Sequence, residues 1–170
     1  VLFRSSRKEI SKEFLRSGRF SLALQQFGID DPSLVEQLAY GYLKISPLKK
    51  GLFHYTIEIL THLAPKYKLV LITNGFSEVQ HIKVRHSGLS SYFNHVVVSE
   101  EIGFKKPDPL IFHHAVALSG LSTDECLMIG DNFETDITGA RDAGIDAVWF
   151  RPGITEKAPP IAGVLQISCL

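Results

Sequence analysis

The sequence predicts an α/β protein organised as a doubly wound parallel sheet. Three observations point there. Continuous apolar runs recur at 69–73, 96–98, 127–129 and 147–150, the pattern of strands buried on both faces. The stretches between them carry helix starts and stops, most clearly Asp108-Pro109 at one end and Gly120 at the other. Polar residues then gather where strands should end, at Thr73-Asn74-Gly75, in the loop 103–109 and in the turn 130–136. In a parallel sheet those ends share one edge, the edge at which α/β folds bind ligands.

The elements follow in order. Residues 12–27 have amphipathic helical spacing, with Ser11 as a candidate N-cap, Phe14, Leu15, Leu22 and Phe27 able to share a face, and Gly28 as a stop. Asp31-Pro32 opens a second helix, with Leu34, Val35, Leu38 and Tyr42 at helical intervals and Pro47 closing it. No strand pattern occurs before Lys50, so this part reads as a helical unit. After Gly51 the pattern alternates: helix 52–64, strand 69–73, a helix opened by a Ser77/Gln80 capping box and ended at Gly88, and strand 96–98. Helix 109–119, strand 127–129, a helix ending at Gly144, strand 147–150 and a short strand at 164–167 complete the chain.

Composition narrows the function. The 170 residues carry 18 basic and 18 acidic side chains, with no long basic run, which argues against a nucleic-acid polymer or an anionic membrane as partner. Two cysteines, Cys126 and Cys169, make no disulfide framework, and a reducing, cytoplasmic compartment is expected. No signal peptide, long apolar span or internal repeat is evident. The chain begins with Val1 and its single methionine is Met128. Val1-Leu2-Phe3-Arg4-Ser5 matches the translation of a common sequencing adapter, so residues 1–5 are read as a non-native scar.

Each polar strand end admits two readings. In the turn 130–136, Asp131 and Asp136 offer two carboxylates with no basic residue between them, a magnesium site by donor type or simply a turn and helix cap. Thr73, Asn74 and Gly75 offer a hydroxyl and backbone N–H groups to a phosphoryl oxygen, or an ordinary turn. Lys106, held before Pro107, is a cation of restricted backbone freedom or a surface lysine. Taken together they form a hydroxyl, a cation and a metal-binding pair, a set suited to phosphoryl transfer, where positioning and charge neutralisation dominate.

The order and spacing of these residues resemble the haloacid dehalogenase superfamily. Thr73 matches its second motif, Lys106 within Gly103-Phe104-Lys105-Lys106-Pro107-Asp108-Pro109 its third, and Asp131 with Asp136 its fourth. The resemblance runs from about Glu9 to Trp149. It implies a Rossmann-like core over 51–170, preceded at 6–50 by the last part of a helical cap. It also implies magnesium as cofactor, with Asp131 binding it and Asp136 either supporting it through water or orienting Lys106. Thr73, with Asn74 and Gly75, would hold the phosphoryl group and Lys106 would neutralise it. Ser11–Phe27 with Arg19-Phe20, and Ser99-Glu100-Glu101-Ile102-Gly103, look most like the pyrimidine 5′-nucleotidases of the YjjG type. That implies a small phosphorylated metabolite, such as a nucleotide, as substrate, with Arg19 either a substrate-selecting residue or an exposed helix arginine.

One departure matters. The family's nucleophile and general acid–base are the two aspartates of Asp-x-Asp-x-Thr at the end of its first, central strand, and this sequence contains no Asp-x-Asp. The strand that should lie between those at 69–73 and 127–130 is missing with them. The expectation is a gene cut at its 5′ end, a chain inactive by itself, and either a gap or a forced neighbour pairing between those two strands. Four rivals stand beside the phosphatase: a 2-haloacid dehalogenase, which needs no metal; phosphoryl mutase or phosphonate chemistry, which would require different cap residues; a non-catalytic phosphate-binding module or pseudoenzyme; and a phospho-accepting receiver domain, whose acidic pair comes first in the chain rather than last.

Overall fold

The computed structural model describes residues 12–153 and 163–169. Ser11 and the scar at 1–5 therefore lie outside the described residues. The chain divides into two compact units, Val1–Lys49 and Lys50–Leu170.

The first unit is a helix pair, α1 (Lys12–Gln25) and α2 (Pro32–Ile45), followed by a 3-10 turn at Ser46–Leu48. Asp31 caps α2 by accepting from Leu34 N–H at 3.0 Å, with Pro32 in the first turn. The helices meet through Phe20 and Tyr42, edge to face with ring centres 5.9 Å apart. The apolar face expected for α1 is not its buried face: Phe14, Leu22 and Phe27 stay exposed, while Gly18 is buried.

The second unit holds α3 (Thr56–Leu63), β1 (Val70–Thr73), α4 (Ser77–His86), β2 (His95–Val98), α5 (Ser99–Ile102) and α6 (Pro109–Ser119). Then come β3 (Leu127–Gly130), a π-helical turn at Phe133–Thr138, α7 (Gly139–Asp142), β4 (Asp146–Phe150) and β5 (Leu165–Ile167). All pairings are parallel, as expected, and they form two sheets, β1-β2 and β3-β4-β5. No ladder joins β1 to β3 among the described residues, at the place where the sequence reading leaves out a strand. β3 is correspondingly less buried than a central strand: Leu127 and Ile129 are 58% and 47% exposed.

What ties the two sheets together is the core on one face. Ile111, Phe112 and Ala115 of α6 pack with Val97 of β2, Ile137 of the π-helical turn, Ala140 of α7 and Ala147 of β4. Phe112, Ile111 and Ile137 are fully buried. Helix α6 is set by its ends, since Asp108 accepts from Leu110 N–H at 3.0 Å, Pro109 fills the first turn and Gly120 stops it.

Three local details depart from the sequence reading. Helix α3 starts at Thr56 rather than at 52, because Tyr55 takes a left-handed backbone (φ 65°) that no helix can continue through. The Ser77/Gln80 capping box does not form: Ser77 N–H donates to Glu100 at 2.7 Å and its hydroxyl to Glu101. Partners from α5 thus replace the local one, placing carboxylates at the positive end of α4. A capping box does form at Ser122 with Glu125, ahead of β3.

Gly139 lets α7 lie against the loop that carries Lys106. A Cβ there would sit 2.8 Å from both the Phe112 ring and Pro107 Cα, and 2.9 Å from Pro107 O. Backbone atoms cannot step aside as a flexible side chain would, so Gly139→Ala is expected to lower unfolding free energy by about 1–3 kcal/mol. An unchanged denaturation midpoint would show that this approach is not tight.

Candidate active site

Two aspartates follow β3, and they do different work. Asp136 is buried, and its position is over-determined: Oδ1 lies 2.7 Å from Lys106 Nζ and accepts from the Thr135 hydroxyl at 3.2 Å, while Oδ2 accepts from Asn132 N–H at 3.1 Å. Gly130 makes room for it, since a Cβ at Gly130 would be 2.4 Å from Asp136 Cβ. The glycine ending β3 is therefore dictated by a residue six positions later. Asn132 caps the following turn by accepting from Thr135 N–H at 2.9 Å. Asp131 has an exposed side chain, and its main-chain oxygen accepts from the Trp149 indole N–H at 3.0 Å. Trp149 is itself flanked by the Phe133 ring at 4.9 Å and the Arg151 guanidinium at 4.8 Å.

Lys106 reaches this end from the loop after α5. Its side chain is only 11% exposed, and its ammonium pairs with the Asp136 carboxylate, whose side chain is 5% exposed. Its backbone is held from β1: Asn74 Oδ1 accepts Lys106 N–H and Asn74 Nδ2 donates to Lys106 C=O, both at 2.9 Å. The Lys106–Pro107 peptide is cis, and Asp108 N–H closes the turn on Lys105 C=O at 2.9 Å. Burial lowers the pKa of the neighbouring Lys105.

At the end of β1, Thr73 is half-buried and Gly75 N–H donates to Ser99 Oγ at 3.2 Å. The structure thus brings Asn74, Lys106 and Asp136 into one bonded chain, with Thr73 next to Asn74 in sequence and Asp131 next to Asn132, whose N–H Asp136 accepts. Sequence reasoning missed Trp149, Asn132 and Thr135. Only the tryptophan left a signal, an indole N–H in an apolar strand that must find an acceptor.

By donor chemistry the turn after β3 suits a hard cation. Magnesium is commonly held by one or two carboxylates with waters and substrate oxygens, and the Asp131 carboxylate is exposed to it. Asp136 already serves Lys106, and no cluster of three ligating side chains occurs among the described residues.

On the α4 side, Glu101 Oε1 accepts from Ser77 and lies 2.7 Å from His81 Nε2. The Ser77 hydrogen bond first, then His81, holds the Glu101 carboxyl below its ordinary value. A depressed carboxyl contributes stability at pH values above its unfolded pKa, and this is lost as pH falls through the folded one. Glu101→Gln should therefore flatten part of the stability loss below about pH 4.5, read by denaturant titration across pH. An unchanged acid limb would remove Glu101 from that role.

The ion pair makes a larger claim. Removing one member of a buried pair strands the other, typically at about 3–5 kcal/mol. Asp136→Ala should fall near the lower end, with much of the loss recovered in Lys106→Met/Asp136→Ala. Additive losses in the double variant would mean that the two do not interact.

A model of haloacid dehalogenase-like hydrolases matches residues 6–144. The pyrimidine 5′-nucleotidase PynA of Streptococcus pneumoniae is 35% identical over 147 residues, which cover 85% of this chain and 61% of that protein. The pyrimidine 5′-nucleotidase YjjG of Escherichia coli is 31% identical over 157 residues, covering 92% and 68%. Thus the chain spans roughly two thirds or less of the length of these curated relatives. Among solved structures, the HAD-hydrolase YfnB of Bacillus subtilis, bound to magnesium, superposes with a TM-score of 0.85 at 26% identity, over 99% of this chain and 73% of that one. A motif set spread over three loops, a matching fold and a family match across most of the chain agree: this protein belongs to the haloacid dehalogenase-like hydrolase family.

Proposed function

We propose that this chain carries the cation-holding and phosphate-neutralising half of a magnesium-dependent phosphate monoester hydrolase. The observation that carries the reading is the Lys106–Asp136 pair, which brings a loop 30 residues upstream to the end of β3 at 2.7 Å. A fixed ammonium beside oxygen ligands is what a transferred phosphoryl group requires, because catalysis there is largely positioning and charge neutralisation.

In this reading the Thr73 hydroxyl donates to a phosphoryl oxygen, and Lys106 neutralises the same group. Asp136 orients Lys106 rather than binding metal. Asp131 would hold magnesium, which supplies charge neutralisation on the phosphoryl oxygens when bound. Gly75 N–H can join a phosphoryl oxygen only by giving up its long bond to Ser99. The nucleotidases among the relatives support a nucleoside 5′-monophosphate as substrate. Residues 6–50, which include the helix pair, would be the end of a cap, and residues 51–170 the core of the hydrolase.

The sequence contains no Asp-x-Asp, so the nucleophile, the acid–base and any aspartyl-phosphate intermediate belong to a longer parent. Among the described residues the facing edges of β1 and β3 pair with no strand, which supports a seat there for the strand that would bring them. The Cys126 thiol fits a reducing cytoplasm, and no helix among the described residues is long and apolar enough to cross a membrane.

The test is direct. The purified 170-residue chain, given a generic aryl phosphate and magnesium, should show no hydrolysis above the buffer rate. Magnesium-dependent turnover abolished by Lys106→Met would overturn the half-site reading.

A further inference from the structure

We infer that the Asn74 side chain is a positioning group, which sets the Lys106 loop and acts on a bound phosphoryl group through Lys106. Its place at the exit of β1, exposed and beside Thr73, would suit a direct phosphate ligand. The geometry assigns it otherwise. Both heavy atoms of its carboxamide are committed to one residue 32 positions away, accepting from Lys106 N–H and donating to Lys106 C=O, each at 2.9 Å. Two bonds of opposite sense from one planar group fix the translation and the rotation of the Lys106 backbone together.

That matters because the lysine side chain is a flexible four-carbon stem with a point charge at its tip. Asp136 fixes the tip at 2.7 Å, but a tip fixed on a loose root would sample many geometries. Asn74 fixes the root. The residue type follows from the task, since a carboxamide carries a donor and an acceptor side by side. A carboxylate there would keep the bond to Lys106 N–H and lose the one to Lys106 C=O. A hydroxyl could make only one bond well, and alanine neither.

The inference rests on the proposed role of Lys106 for its meaning, but its test needs no turnover. In the 170-residue chain, backbone exchange at the Lys106 amide is measured by NMR, and acylation of Lys106 Nζ by mass spectrometry, in the parent chain, Asn74→Ala and Asn74→Asp. Binding of inorganic phosphate is titrated alongside. Asn74→Ala should speed Lys106 amide exchange about tenfold and raise Nζ acylation several-fold, with β3 and β4 amides unchanged. Asn74→Asp should retain the amide protection. Three outcomes would overturn the inference: unchanged Lys106 exchange and acylation with weakened phosphate binding, which makes Asn74 a direct ligand; a rise spread over the whole second unit, which makes it a general stabiliser; or loss of amide protection in Asn74→Asp. Hydrolysis of an aryl phosphate by the chain would sink the proposed function and leave these readouts untouched.

Discussion

A nearly buried lysine has to be neutralised, and in this protein one carboxylate does it. The 2.7 Å contact between Lys106 and Asp136 constrains much of what surrounds it. It requires Asp136 to tuck beneath the end of β3, which requires Gly130 to lack a side chain. It also requires the Lys106 loop to lie close to α7, which requires the same of Gly139. Thr135 and Asn132 complete the hydrogen bonding of the Asp136 carboxylate. A pair of this kind adds little net stability over an apolar substitute, yet is costly to break singly. Its retention makes sense as a way to hold one charge in one place.

The pair also joins two halves that no strand ladder connects among the described residues. On one side Asn74 extends β1 to the Lys106 backbone, and on the other Asp136 extends β3 to the Lys106 ammonium. Beneath them α6 packs on β2 and against α7, so apolar burial on one face and polar contacts at one end hold the sheets together. The exposed Leu127 and Ile129 show where such burial is lacking.

Much of this was legible in the sequence because it is local or periodic. The apolar runs gave four parallel strands, and Asp31-Pro32 and Asp108-Pro109 gave helix starts, each capping its own turn. What could not be read was long-range. Local spacing pairs Ser77 with Gln80 three residues away, whereas its partners are Glu100 and Glu101 on another element. Gly130 looked like a strand end, and only the position of Asp136 shows why a side chain cannot be there. The candidate residues Thr73, Asn74, Gly75, Lys106, Asp131 and Asp136 were named by order and spacing. Their division into a residue that holds a lysine, one that holds its loop and one open to a cation needed distances. Trp149 counted only as an apolar strand residue until its indole N–H met the Asp131 carbonyl.

The central claim is that Lys106, Asp131 and Thr73 are parts of a phosphatase site whose nucleophile lies on a strand this chain does not contain. Reading the gene upstream of Ser6 tests it most directly. The account predicts an in-frame apolar strand ending in Asp-x-Asp-x-Thr, followed by the rest of a helical cap. A complete reading frame with a start codon close to Ser6 and no such strand would contradict it.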